Sequence, residues 1–207
     1  MSKLIKVDYM NQSEKYPTGC ESISTIMCLH YFGIEITPEE FIDNYLEKGN
    51  LEKKDNQLYA PSPFDKFIGS PYNKHSYGCY SPVIEKALKK LISDKQLNYE
   101  VKNLNNVPMN EILKDYIDND IPVIFWATIN LLETIKTTIW IVPETGEKLQ
   151  WRGKEHCLLL VGYDNEKNGY YFNDPWNNIG TILYNKELVE KRHAEQYSNA
   201  VAIIKKT

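Results

Sequence analysis

No Cys-x-x-Cys pair occurs among the four cysteines, at positions 20, 28, 79 and 157. Neither a thiolate zinc site nor a disulfide framework is therefore predicted, and reduced thiols are the simpler reading. No apolar run approaches the length needed to span a bilayer. The opening Met1-Ser2-Lys3-Leu4-Ile5-Lys6-Val7-Asp8 also lacks the uninterrupted apolar core of a signal peptide. As it stands the sequence reads as soluble and cytoplasmic, with export reserved for a chain that has lost a leader. Positive charge is not in excess: 24 Lys and Arg face 28 Asp and Glu, for a net charge of -4. With no basic cluster either, nucleic-acid binding is excluded as a reading. Gly-rich phosphate cradles, internal repeats and low-complexity segments are missing, and His30, His75, His156 and His193 show no metal-ligand spacing. No metal and no cofactor are expected. The length of 207 residues suits one domain, 1–207, with a substantial core.

Aromatic residues are plentiful, with 15 tyrosines and 4 tryptophans, many in stretches that read as loops. Rings there can line a groove as well as fill a core. Tyr72, Tyr77, Tyr80 and Trp176 are the candidates for substrate contact.

The chain is organised around Tyr16-Pro17-Thr18-Gly19-Cys20-Glu21. Pro17 and Gly19 end a looped approach, and from Cys20 onward Ile23, Ile26, Met27 and Tyr31 recur at helical spacing up to a stop at Gly33. Cys20 is thus predicted at a helix N-terminus, where unpaired amides favour the thiolate. A short strand or extended arm is expected over residues 4–9. Thr37-Pro38-Glu39-Glu40 is a capping box opening a second helix that runs to about Gly49. From Asn50 to Tyr80 no period is sustained, which predicts a long ordered loop able to form one wall of a cleft.

Ser81-Pro82 starts a third helix, Leu97 to Leu104 reads as a strand, and a fourth helix covers about 108–117. Ile121 to Ile129 is apolar on both faces and so a central strand. Hairpins follow over 135–151 and from His156 to Asn173, then a charged helix over 186–196 and a last strand over 200–204. Helices lead in the first half and strands in the second, an α+β domain with a helix packed on an antiparallel sheet.

Far downstream of Cys20, Glu155-His156-Cys157 opens a strand and Asn173-Asp174-Pro175 closes the next. Cysteine, then histidine, then a carboxylate or carboxamide is the order of a thiol hydrolase whose groups meet only on folding. His156 would take the thiol proton and later protonate the leaving amine. Either Asp174 or Asn173 would orient the ring, since alternation lets one of them face it. Pro175, marking an abrupt strand exit, favours Asp174. Gln12, eight positions before Cys20, is placed to join the Cys20 N–H in an oxyanion hole.

Taken with Gly69-Ser70-Pro71-Tyr72 and Tyr77-Gly78-Cys79-Tyr80-Ser81-Pro82, these blocks resemble the bacterial peptidase C39-like family over roughly residues 8–176. The resemblance implies a papain-like cysteine peptidase fold, with Cys20 as nucleophile, His156 as base, Asp174 as orienting residue and Gln12 in the oxyanion hole. It implies a peptide or protein substrate. Better-known C39 relatives cleave leader peptides after a double glycine inside exporters, whose membrane and ATPase parts this chain lacks. An acyl or peptidyl transferase using the same residues, or a non-catalytic peptide-binding domain, are the alternatives.

Overall fold

The computed structural model describes residues 2–12 and 15–206. In chain order the strands are β1 (Ser2–Leu4), β2 (Lys48–Gly49), β3 (Glu52–Lys54), β4 (Gln57–Tyr59), β5 (Phe67–Ile68), β6 (Tyr99–Asn103), β7 (Val123–Thr128), β8 (Ile135–Ile141), β9 (Lys148–Gly153), β10 (Glu155–Asp164), β11 (Gly169–Asp174), β12 (Gly180–Asn185) and β13 (Ala200–Lys205). The helices are α1 (Cys20–Tyr31), α2 (Pro38–Asn44), α3 (Ser81–Asp94), α4 (Met109–Asp115) and α5 (Lys186–Glu195).

Among the described residues, seven strands pair antiparallel in the order β12-β11-β10-β7-β13-β6, with β1 on the far half of β10. The run Val123-Ile124-Phe125-Trp126-Ala127-Thr128 is buried on both faces because β7 lies between β10 and β13 and is covered by helices. Its faces separate two environments. Phe125 stacks on His193 of α5 with ring centroids 3.9 Å apart. The next residue, Trp126, points the other way and donates its indole N–H to the Cys79 carbonyl at 2.9 Å.

Helix α1 packs on β10 and β7. Every residue from Cys20 to Leu29 is buried, so α1 is enclosed on all sides rather than amphipathic. Two of its polar residues bond within the packing: Ser24 donates to the Cys157 carbonyl at 3.1 Å, and Thr25 to the Glu21 carbonyl at 2.6 Å. Strand β10 is thereby fastened to the first turns of α1.

Two expectations are corrected. Helix α2 starts as the capping box predicts, Thr37 accepting the Glu40 N–H at 3.1 Å, but it ends at Asn44 rather than Gly49. Lys48 and Gly49 instead pair with β5. The stretch from Asn50 to Tyr80 is not one loop. It contains β3, β4 and β5, and β3 and β4 join a second sheet in the order β3-β4-β8-β9. The two-residue turn Asp55-Asn56, at φ of 49° and 60°, has the left-handed geometry that matches strand twist in a tight hairpin. Apart from these two, strand β12 occupies a stretch to which the sequence pattern assigns no element.

Candidate active site

Gly19 immediately precedes Cys20, and a Cβ there would sit 2.8 Å from Tyr16 Cβ and 3.4 Å from Pro71 Cβ. The approach is therefore tight enough to require glycine before the nucleophile helix. Residues 69–79 lie over this approach: the Thr18 hydroxyl donates to the Asn73 carbonyl at 3.0 Å, and the rings of Tyr16 and Tyr72 are 5.8 Å apart. The Cys79 N–H reaches the Glu21 Oε1 at 2.7 Å. What remains of Cys20 exposure is 7%, whereas Cys28, Cys79 and Cys157 are at 0%.

The strand register puts Asn173 opposite Leu159, so Asp174 shares a face with Leu158 and His156. His156 Nε2 lies 2.7 Å from Asp174 Oδ1, both side chains being buried. Asp174 is fully engaged: Oδ1 also accepts the Trp176 N–H at 2.9 Å, and Oδ2 accepts the Tyr184 hydroxyl at 2.8 Å. Burial alone would raise this carboxyl, but the bond to His156, the imidazole's charge and the other two donors draw it below the ordinary aspartate value. An ionised Asp174 only accepts, so His156 carries a hydrogen on Nε2, which leaves Nδ1 as the nitrogen turned to proton exchange in the site. Asn173 faces elsewhere, donating to the Val7 carbonyl and accepting from Thr181. Tyr184, on the strand missed in the sequence, had no motif to mark it.

Cys20 meets the strand that carries His156. The main-chain N–H of Cys157, the next residue, bears on its sulfur, and the thiol donates to Glu21 Oε2 at 3.3 Å. His156 in turn acts on Glu21 through its charge. The expected helix-end activation is opposed: burial, then the carboxylates of Glu21 and Glu155, hold the Cys20 thiol well above its ordinary value. Cys20 Sγ, a Glu21 oxygen and a Glu155 oxygen lie within 4.8 Å of one another. In the sequence Glu21 and Glu155 carry no signal beyond being neighbours of Cys20 and His156.

Gln12 is buried on the same approach, its N–H bonded to the Pro175 carbonyl at 2.9 Å. Its side-chain amide donates to the carbonyls of Tyr16 (3.2 Å) and Pro17 (3.1 Å). The candidate substrate-contact residues divide. Tyr72 is exposed and Trp176 half-buried beside Asp174. Tyr80 is corrected to a core residue: it is 1% exposed, stacked on Phe64 and bonded to Gln196. Tyr77 packs edge-on against Trp140 and Trp151, with its hydroxyl on Thr138.

The fold as a whole is similar to that of a solved structure. A protein described as a C39-like peptidase from Bacillus anthracis superposes with a TM-score of 0.84 at 21% identity, covering 100% of this chain and 99% of that one. A double glycine motif protease from an AMS/PCAT transporter, solved with its leader peptide, gives a TM-score of 0.48 at 14% identity over 99% and 95%. Xylellain, a cysteine protease from Xylella fastidiosa, gives 0.42 at 12% over 100% and 86%. No curated protein matches the chain. The model of the peptidase C39-like family matches residues 4–202, nearly the whole length, and the chain belongs to that family of cysteine peptidases.

Proposed function

We propose that this peptidase cleaves a peptide or amide bond through a thioester on Cys20. The observation that carries the reading is the buried His156–Asp174 pair, 2.7 Å apart, at the end of the sheet where the first residue of α1 meets β10. His156 Nδ1 takes the Sγ proton, and the sulfur attacks the carbonyl carbon. The oxyanion is met by the N–H of Cys20, at a helix start that no side chain caps. The intermediate collapses, the C–N bond breaks, and the imidazolium gives its proton to the leaving amine. Water, deprotonated by the same imidazole, then releases the acid and restores the thiol. Asp174 fixes the ring tautomer throughout.

Gln12 is the second oxyanion donor in this scheme. Its hydrogens now go to the Tyr16 and Pro17 carbonyls, so serving the oxyanion means releasing one of them. Tyr72 and Trp176 are the ring contacts to substrate, because their surfaces are open to it.

The test is digestion of a proteome-derived peptide library by the wild type and by Cys20→Ala, with mass spectrometry of new termini. The account expects termini from the wild type that are missing with Cys20→Ala. Identical termini from both proteins would overturn it.

A further inference from the structure

In a pair built for nucleophilic attack the thiol would face the imidazole, yet here its hydrogen is directed at the carboxylate beside it in the chain. Glu21 is 0% exposed and occupies the second position of a helix whose first residue is the nucleophile. Its two oxygens are divided: Oε1 accepts the Cys79 N–H at 2.7 Å and Oε2 the Cys20 thiol at 3.3 Å. Glu155 comes from the first position of β10, next to His156. Its Oε1 is buried and has no hydrogen-bond partner among the described residues. Gly78 closes the other side at φ 132°, where a Cβ would lie 2.7 Å from Glu21 Oε1 and 2.9 Å from Glu155 Oε2. The two carboxylates thus share one enclosed space with the sulfur.

Resting on the hydrolase reading above, we propose that Glu21 is a positioning residue which holds the Cys20 thiol in its resting orientation, and that Glu21 and Glu155 together set when the proton leaves. While the pair keeps its protons, the sulfur faces no negative charge and is free to turn to His156. Once a proton is lost, a carboxylate within 4.8 Å of Sγ both accepts the S–H and repels the thiolate.

The surroundings fit that role. Burial raises Glu21 to about 6, with its own N–H, the Cys79 N–H, the Cys20 thiol and the charge of His156 acting against the rise. Glu155 is pushed well above the ordinary glutamate value by burial and then by Glu21. The titratable groups facing the pair are Cys20 from α1, Cys79 and Tyr80 from the segment before α3, and His156 and Cys157 from β10. Arg152 on β9 is directed away, over the Tyr197 ring at 3.5 Å and onto the Glu195 carbonyl.

The experiment is peptide-mapped alkylation of Cys20 by iodoacetamide between pH 5 and 11 in the wild type, Glu21→Gln, Glu155→Gln and His156→Ala. Circular dichroism establishes that each is folded. Glutamine keeps an acceptor for the Cys79 N–H but removes the charge. The alkylation midpoint is expected to fall by about one pH unit in Glu21→Gln, a gain of about tenfold in rate at neutral pH, and to fall also in Glu155→Gln. Should Glu21→Gln fail to fold, Glu155→Gln carries the test, since Glu155 makes no bond to the thiol. A wild-type midpoint in the folded variants, or one moved upward, would overturn the inference. His156→Ala keeps the two claims apart: an unchanged Cys20 rate in that variant would count against the hydrolase reading, whatever the glutamate variants do.

Discussion

His156 Nε2 donates to Asp174 Oδ1 across 2.7 Å, inside a carboxylate whose other oxygen is held by Tyr184 at 2.8 Å. Asparagine at 174 would keep the shape but offer an amide, which favours the wrong imidazole tautomer. Asp174→Asn is expected to lower kcat by about 10²- to 10⁴-fold with far-ultraviolet circular dichroism unchanged. Single-turnover kinetics on a substrate found by the library digest would measure this. A loss under threefold would remove Asp174 from the mechanism.

Tyr184 acts on the imidazole only through Asp174. Tyr184→Phe deletes a hydrogen bond to an ionised group, so unfolding in urea should show a loss of about 1.5–3 kcal/mol. The fall in kcat should be well below that of Asp174→Asn, because Trp176 N–H and His156 still hold the carboxylate. Equal losses in the two variants would mean that Tyr184 touches the reaction itself.

Stability should depend on pH through Glu21. Its folded value of about 6 lies above the ordinary 4.5, so the folded state binds the proton more tightly than the unfolded chain. That contribution is fully present below pH 4.5 and is lost as pH rises through about 6, a swing of about 2 kcal/mol. Glu155 is raised as well and extends the loss to higher pH. His193, lowered to about 4 by burial, works the opposite way, its contribution being lost as pH falls from about 6.5 through 4. Urea melts from pH 4.5 to 8 should therefore show Glu21→Gln more stable than wild type near neutrality, with the gap closing in acid. A constant gap would show that Glu21 does not titrate in this range.

Gly78→Ala would place a methyl group against both carboxylates in a backbone conformation that suits glycine. A loss of about 2 kcal/mol or more is expected in the same melts. A neutral result would mean that the segment covering Glu21 yields easily.

What the sequence made legible follows from the strength of each local signal. Helix α3 is strongly amphipathic and opens at Ser81-Pro82, α1 carries its apolar spacing up to Tyr31, and β7 is apolar throughout. Strands β2 and β5 are two residues long and cannot show a period at all. β3 is exposed Glu52-Lys53-Lys54, which reads as loop until its Asp55-Asn56 turn is recognised. β12 is only half-buried and follows an irregular turn at Trp176-Asn177-Asn178, so its alternation is too weak to mark a strand. In the site, alternation could say that one of Asn173 and Asp174 faces His156, but only the register of β10 on β11 says which. The Glu21–Glu155 pair was invisible because positions 134 residues apart in sequence meet only when α1 docks on β10.

The most direct test of the central claim is the rate of iodoacetamide alkylation at each cysteine at neutral pH, in the wild type and in His156→Ala. The account predicts that Cys20 reacts while Cys28, Cys79 and Cys157, fully enclosed, stay unmodified in the folded protein. It also predicts that His156→Ala slows Cys20 by about tenfold or more. Cys20 reacting at the same rate with and without His156 would contradict the account.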